Sequence, residues 1–123
     1  MLKCKSIYDK PELDDGYRVF VDRLWPEGLS TRRAAVAWWA KELAPSYELW
    51  RYGYAPDKWT TYRDGYLKEL VARDKQPFLE KLRQHAGEGT VTLLYGTSDP
   101  ARNNAVIIKE FLENGARLGK KQK

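Results

Sequence analysis

An aspartate and an arginine stand side by side at the end of an apolar run, in the segment FVDRLWPEG (residues 20–28). Asp22 can take up or release a proton as a general acid or base. Arg23 is a permanent cation whose planar fork of donors suits a carboxylate or a phosphate. Trp25 offers a ring face on which a planar ligand can stack. The segment therefore predicts part of the rim of a site for an anionic ligand.

A second group of polar residues follows the most apolar run of the chain, TVTLLYG at residues 90–96. If this run and residues 17–24 form adjacent parallel strands, both groups lie at the carboxyl edge of one sheet, where ligands bind in open α/β folds. Asparagine amides both donate and accept hydrogen bonds, as recognition of a base or a sugar requires. The second group adds these candidate ligand contacts: Tyr95, Asp99, Arg102, Asn103 and Asn104.

Each of these residues also has a structural interpretation, and both interpretations stay open. Asp22 and Arg23 can form a local ion pair or brace the end of a strand. Trp25 precedes a proline and suits a place in the core. Asp99 suits the N-cap of a helix, and the two asparagines suit a first helical turn.

The elements that must position these residues begin with the strands. Three segments are predicted to be strands: residues 3–8, 17–24 and 90–96. Because residues 90–96 are apolar nearly throughout, we expect that strand to be covered on both faces. Residues 34–39 fit either a helix capped by Ser30 or a short strand. We favour the strand, which sends Trp38 and Trp39 to opposite faces of the sheet.

Helices are predicted around and between these strands, at residues 55–74, 76–89 and 98–115. The last is expected to begin with Asp99 as its N-cap and Pro100 at its first position, and to end at Gly115. Ser46 is expected to cap a further short helix. The element order predicts a single small α/β domain over residues 1–116, with a mainly parallel central sheet flanked by helices.

The net charge of +5 is concentrated in the last seven residues, which form a predicted flexible basic tail at 117–123. Without its four positive charges, residues 1–116 hold 18 basic and 17 acidic residues, a net charge of +1. A nearly neutral body produces no strong field for a polyanion. We therefore expect nucleic-acid binding to be weak and to come mainly from the tail.

Several classes of protein are excluded by what the sequence lacks. Cys4 is the only cysteine and His85 the only histidine, so we expect no internal disulfide, no metal site and no His-based triad. No G-x-G-x-x-G or Walker A run indicates a nucleotide cofactor, and we predict no cofactor. No apolar run approaches the roughly 18 residues of a membrane span, and no signal-peptide core is present. These features predict a cytoplasmic protein without a membrane partner, and they leave the oligomeric state open.

Five motifs together resemble the YeaO-like proteins of the domain-of-unknown-function family 488. They are distributed from about residue 5 to residue 113: DGYRVFVDRLWPEGLS, WWAKELAPS, PDKW with the aromatic residues after it, VTLLYG and NNAVIIKEFL. The resemblance implies one compact α/β domain in a bacterial or archaeal cytoplasm. It implies no established activity, because the family is uncharacterised.

The resemblance also identifies matching and departing positions. The residues that match the closer family pattern are Asp22, Arg23, Trp25, Lys41, Ser46, Asn103 and Asn104. The broader family carries a Cys-His-Arg group after the late strand, whereas this chain has Arg102-Asn103-Asn104 there. Closer relatives usually have histidine at the positions of Tyr54 and Arg102, and arginine at that of Glu27. These departures argue against an acid–base or nucleophilic mechanism shared with the whole family.

Two hypotheses about function remain. In the first, the protein binds or acts on a small anionic or nucleotide-like ligand. Asp22 is then the general acid or base, Arg23 clamps the anion, and Lys41 and the asparagine pair orient the ligand. Ser46 is a further candidate for binding it, together with Trp25, Tyr95 and Arg102. In the second, it is a non-catalytic module that binds nucleic acid or protein through Arg32, Arg33, exposed aromatic residues and the basic tail. A concave pocket that joins Asp22, Arg23 and Asn104 favours the first, and a flat basic face favours the second.

Overall fold

Four parallel strands and five helices make up the part of the chain that the computed structural model describes, residues 1–121 with side chains through residue 114. The strands are β1 (Leu2–Ser6), β2 (Tyr17–Phe20), β3 (Trp38–Trp39) and β4 (Val91–Tyr95). The helices are α1 (Thr31–Ala34), α2 (Tyr47–Tyr52), α3 (Trp59–Leu70), α4 (Gln76–Glu88) and α5 (Asn104–Lys121). The predicted α/β class with a parallel sheet is confirmed.

The strands are ordered β1-β4-β2-β3 in one sheet. Val91 of β4 pairs with Leu2 of β1 on one side and with Tyr17 of β2 on the other. Every residue of β4 is buried, as expected for a strand that is covered on both faces. Because β2 and β4 are adjacent and parallel, the polar residues that follow them start from the same edge of the sheet.

The two faces of the sheet support different cores. Val19 and Leu93 face the larger one, which the long helices cover with Tyr62, Tyr66, Leu70, Leu79, Leu82, Ile107 and Ile108. Phe20 and Leu94 face the smaller one, which the loops cover with Ile7, Ala34, Trp25, Leu29, Val36 and Trp39. Alternate residues of each strand point to opposite faces, so the pattern of β2 and β4 assigns each residue to one core.

The segment at residues 34–39 combines both of its predicted alternatives. Ser30 Oγ accepts a hydrogen bond from Arg33 N and caps the helical turn α1. Ala35 then adopts a left-handed conformation with a φ of 51°, which ends the turn. Only Trp38 and Trp39 form strand, so the predicted start at residue 34 is wrong. Trp38 packs in the larger core and Trp39 in the smaller, which confirms that they lie on opposite faces.

The helix after β4 begins six residues later than predicted. Asn103 Oδ1 accepts a hydrogen bond from Val106 N at 2.9 Å, which is the contact of an N-cap residue. Asp99 instead accepts from Ala101 N and Arg102 N within a loop that also contains Pro100. The prediction that Asp99 caps the helix and Pro100 opens it is therefore wrong. Two segments with good capping chemistry compete here, and the second one begins α5.

Both ends of α3 and the end of α5 also differ from the prediction. α3 begins at Trp59, three residues after Pro56, and ends at Leu70. α5 continues past Gly115 to Lys121, and with 18 residues it has the length of a membrane span. In the described residues, however, no helix is apolar enough to cross a membrane. The predicted tail at 117–123 lies outside the residues whose side chains are described, and its flexibility stays a prediction.

A buried cluster of charges joins the loop before β2 to the sheet. Asp15 is fully buried, and its carboxylate accepts hydrogen bonds from Lys5 Nζ at 2.9 and 3.0 Å and from Arg18 Nη1 at 2.6 Å. Its main-chain oxygen accepts from Thr92 Oγ1 at 2.7 Å. Lys5 belongs to β1, Arg18 to β2 and Thr92 to β4. One aspartate thus connects three neighbouring strands.

Candidate functional site

Asp22 joins the ends of β2 and β4 at the carboxyl edge of the sheet. Its Oδ2 accepts a hydrogen bond from Gly96 N at 2.8 Å, directly after β4. Its Oδ1 accepts from Asn104 Nδ2 at 3.0 Å, on the first turn of α5. Both carboxylate oxygens are therefore engaged by neutral donors, and the residue acts as a brace between three elements.

One tyrosine extends this hydrogen-bonded network into the larger core, and a second packs against the first. Tyr62 is fully buried on α3, and its hydroxyl donates to Asn104 Oδ1 at 2.5 Å. The ring of Tyr54 lies 4.8 Å from that of Tyr62, centre to centre. Asp22, Asn104 and Tyr62 thus form a continuous chain from the sheet edge into the core.

Burial dominates the ionisation of these groups. It raises the pKa of Asp22, although the hydrogen bonds from Gly96 and Asn104 counteract part of the rise. Burial also raises the pKa of Tyr54 to about 12, and the negative charge of Asp22 adds to this effect. The pKa of Tyr62 is raised for the same two reasons. Both tyrosines therefore remain protonated donors near neutral pH.

Arg23 is directed to a different place from its neighbour Asp22. Its Nη1 donates to the carbonyl oxygen of Pro45 at 3.3 Å, and its guanidinium carbon lies 5.6 Å from the centre of the Tyr47 ring. Neither Asp22 nor Arg23 forms an ion pair within the described side chains. The interpretation of Asp22 and Arg23 as a local ion pair is thus wrong, whereas the strand-end brace fits Asp22.

A groove of about 380 Å³ lies where Arg23 emerges after β2 and Lys41 after β3. Lys75, immediately before α4, contributes a third cation to it. The groove is lined by Arg23, Lys41, Glu42, Ala44, Pro45, Ser46, Glu69, Ala72 and Lys75. It therefore lies at the carboxyl edge of the sheet, as the sequence predicts for a ligand site.

The acids and the cations of this groove are differently occupied. Glu69 accepts from Ser46 N at 2.8 Å and from Ser46 Oγ at 2.6 Å, so both of its oxygens are held. The Glu42 side chain is exposed and forms no hydrogen bond or ion pair among the described side chains, so the lining carries three cations and two acids. Lys75 Nζ donates to a main-chain oxygen, that of Glu42, and Lys41 Nζ lies 4.6 Å from the centre of the Trp39 ring. None of the three cations forms an ion pair with a side chain that the structure describes. The groove can therefore offer positive charge to an anion.

The other predicted residues lie outside this groove. Arg102 lines a cavity of about 270 Å³ together with Tyr54 and Thr97, and its Nη1 contacts Asp99 Oδ2 at 3.1 Å. Trp25 donates Nε1 to the carbonyl oxygen of Leu29 at 2.8 Å and packs in the smaller core. Three further residues are buried and serve the network, the cap or the core: Asn104, Asn103 and Tyr95. Of Asp22, Arg23 and Asn104, only Arg23 lines the groove, whereas Asp22 and Asn104 are hydrogen-bonded to each other.

Three residues of the site region were missed by sequence reasoning. Lys75 follows α3 in a short polar connection, where a solvated lysine is common. Glu69 and Tyr62 lie on α3, and their spacing there indicates only an exposed and a core position. Their contacts with Ser46 and Asn104 join residues that are 23 and 42 positions apart, which no local pattern encodes.

Comparison with known proteins adds a family and several relatives. The model of the family DUF488-N3i, described as the inactive DUF488-N3 subclade, matches residues 1–122. The chain is 36% identical to the uncharacterized protein YeaO of Escherichia coli over 115 residues, which cover 92% of this chain and 97% of YeaO. It is 34% identical over 113 residues to the uncharacterized proteins Mb3100c of Mycobacterium bovis and Rv3073c of Mycobacterium tuberculosis, covering 90% of this chain and 92% of each. No solved structure matches the chain.

Proposed function

On the premise that the chain belongs to the inactive DUF488-N3 subclade, we propose that it binds a small anionic ligand without turning it over. The ligand lies in the groove between Arg23, Lys41 and Lys75. The family description supports binding rather than catalysis. So does the hydrogen bonding of Asp22, whose two oxygens are both engaged by neutral donors.

The observation that carries the proposal is the group of three cations without an ion-pair partner around one concave surface. They come from three separate parts of the chain, so no single helix or loop accounts for their proximity. Cations that are held near one another repel, and an anion that binds between them lowers their electrostatic energy. Arg23 supplies a planar fork for two anion oxygens, and the two lysines supply compact point charges.

In this proposal Asp22 is a positioning residue. It fastens the segment after β2 to Gly96, after β4. Arg23 is the next residue along the chain, so the hydrogen bond of Asp22 also fixes the position of the Arg23 main chain. Ser46 and Glu69 fix the opposite wall of the groove through their two hydrogen bonds.

The test is the thermal stability of the protein in the presence of inorganic phosphate or pyrophosphate, with sodium chloride at matched ionic strength as the reference. A ligand at about ten times its Kd stabilises the folded state by about 1.4 kcal/mol. For a domain of this size we expect Tm to rise by about 5 °C. Arg23→Ala and Lys41→Ala should each abolish most of this rise.

Lys10→Ala is the matched control, because it also removes one positive charge and Lys10 is exposed elsewhere on the surface. It should retain the full phosphate-dependent rise in Tm. Arg23→Lys separates charge from geometry, since it keeps the cation and loses the fork. The proposal fails if the parent shows no rise beyond the chloride reference, or if all four variants lose it equally.

A further inference from the structure

A cluster of exposed aromatic residues lies directly beside the cationic groove. Tyr47, Trp50 and Tyr52 all belong to the short helix α2, and their exposed fractions are 49%, 38% and 40%. The rings of Tyr47 and Trp50 are 5.8 Å apart, centre to centre. Large aromatic residues are seldom this exposed. Three exposed rings on a helix of six residues therefore indicate a surface for a planar partner.

Arg23 connects this aromatic surface with the groove. Its side chain lines the groove, and its guanidinium lies near the Tyr47 ring. Arg51 lies 5.9 Å from the centre of the same ring. A planar group that stacks here therefore meets both rings and guanidinium planes, and nucleobases stack on both.

Three cations and two acids line the first groove, whereas one cation and one acid, Arg51 and Glu48, line the surface of α2, so the excess of positive charge lies in the first groove. A second groove of about 400 Å³ is lined by Tyr47, Glu48, Arg51 and Tyr52. Glu48 is exposed, and it forms no hydrogen bond or ion pair within the described side chains. A carboxylate repels a phosphate but accepts hydrogen bonds from the amino group of a base. The phosphate therefore belongs beside Arg23, Lys41 and Lys75, and the base belongs on α2.

We propose that the ligand is a nucleotide, with its phosphate between Arg23, Lys41 and Lys75 and its base stacked on the aromatic surface of α2. This inference rests on the proposed function, because it names the class of anion that the same groove binds. Glu48 accepts a hydrogen bond from an amino-bearing base, so GMP is preferred to UMP. The net charge of only +1 for residues 1–116 favours a mononucleotide over a long strand, which requires many phosphate contacts.

Titration calorimetry with four ligands tests the inference: GMP, UMP, ribose 5-phosphate and inorganic phosphate. Stacking of one base contributes enough for roughly a tenfold change in Kd. GMP should bind roughly tenfold more tightly than ribose 5-phosphate, which lacks a base. Trp50→Ala should remove this advantage and leave the Kd of inorganic phosphate unchanged, whereas Trp50→Phe should retain most of it. Glu48→Gln should reduce the preference for GMP over UMP.

Tyr8→Ala is the matched control, because Tyr8 is an exposed aromatic residue on a different loop. It should leave every Kd unchanged, and the circular dichroism of each variant establishes that it is folded. If phosphate binds but GMP binds no more tightly than ribose 5-phosphate, the assignment of the ligand as a nucleotide is wrong and the proposed function stands. If neither phosphate nor GMP binds, both fail. If a DNA oligonucleotide of about eight nucleotides binds far more tightly than GMP, a strand replaces the mononucleotide.

Discussion

Two aspartates of this protein lie in hydrogen-bonded environments and ionise in opposite directions. Asp15 lies on the face of the sheet that the loops cover, where Lys5 and Arg18 donate to its carboxylate. Asp22 lies at the carboxyl edge, where Gly96 N and the Asn104 amide donate to it. Asp15 has more donors, because Lys3 Nζ at 3.5 Å and Glu12 N at 3.1 Å add to Lys5 and Arg18, whereas Asp22 has two.

The charge of the donors also distinguishes them. Burial alone would raise the pKa of Asp15, but the hydrogen bonds from Lys5, Glu12 N and Arg18 outweigh it and lower the pKa to about 2. For Asp22 burial prevails over its two neutral donors, and the pKa is raised. The cationic donors Lys5 and Arg18, together with Glu12 N, outweigh the loss of solvation of the Asp15 carboxylate, whereas the two neutral donors of Asp22 do not. Asp15 is thus a permanent ionic link, whereas the buried charge of Asp22 reduces the stability of the fold.

The amide variant of Asp15 is expected to have the largest effect on stability. Asp15→Asn removes the anion that Lys5 and Arg18 share and leaves the buried charge of Arg18 uncompensated, whereas Lys5 keeps its ion pair with Glu12 at 3.3 Å. Removing one partner of a buried ion pair costs about 3–5 kcal/mol of the free energy of unfolding. Urea unfolding at neutral pH measures the loss.

Asp14→Asn is the control for this variant, because it makes the same chemical change one residue away. The Asp14 side chain is 80% exposed, so its amide should change stability by no more than about 0.5 kcal/mol. Equal effects of the two variants would remove the distinction between the buried cluster and the surface.

Lowering the pH should reduce the difference in unfolding free energy between the parent and Asp15→Asn. The pKa of Asp15 is about 2 in the folded protein and 3.8 without perturbation. Its stabilising contribution is therefore present above about pH 4 and is lost as the pH falls toward about 2. The amide does not titrate, so the unfolding free energies of the parent and of Asp15→Asn should converge over this range. Curves that stay parallel would mean that the charge of Asp15 is not what stabilises the fold.

Asp22→Asn should have a smaller effect, with a loss of about 1 kcal/mol at neutral pH. The amide lacks one of the two acceptors that Gly96 and Asn104 need, but it also removes a charge that burial disfavours. Because the folded pKa of Asp22 is raised, the parent loses stability as the pH rises through it. The stability of Asp22→Asn relative to the parent should therefore increase as the pH rises, whereas that of Asp15→Asn should decrease. Unfolding at several pH values checks both the size and the sign.

Arg23→Ala should have the smallest effect on stability, within about 0.5 kcal/mol. Its guanidinium has no ion pair among the described side chains, and a partly solvated arginine contributes little to folding. The phosphate-dependent rise in Tm should nevertheless disappear. A loss of more than about 2 kcal/mol in urea unfolding would make Arg23 a structural residue and would refute its role as an anion clamp.

The sequence was sufficient for the parts of the fold that local chemistry determines. β4 is apolar apart from Thr92, and Ser46 caps α2 through Leu49 N, so both were predicted correctly. The start of α5 was missed because Asp99-Pro100 and Asn103 are equally good local signals. The side chain of Asn104 is held by Asp22 and Tyr62, 82 and 42 residues away in the chain. Contacts at that range decide which signal begins the helix.

The candidate site also contains residues that the sequence predicts and residues that only the packing reveals. Arg23, Lys41 and Ser46 line the groove, but they are only part of the predicted site, and its other residues lie outside the groove. Asp22 was predicted to work with Arg23, yet neighbouring residues at the end of an extended segment point in different directions. Lys75 joined the set only through the packing of the connection between α3 and α4, which residue types alone do not reveal.

The position of β4 at the centre of the sheet also determines when the protein can assemble during synthesis. β1 has β4 as its neighbour in the sheet, and their pairing joins Leu2 to Val91 across most of the chain. A nascent chain therefore carries its first strand unpaired until residues 91–95 have left the ribosome. Closing so long a loop is slow, because the entropy is lost before the contacts form. We expect the earlier segments to stay accessible to chaperones and proteases until that last strand arrives.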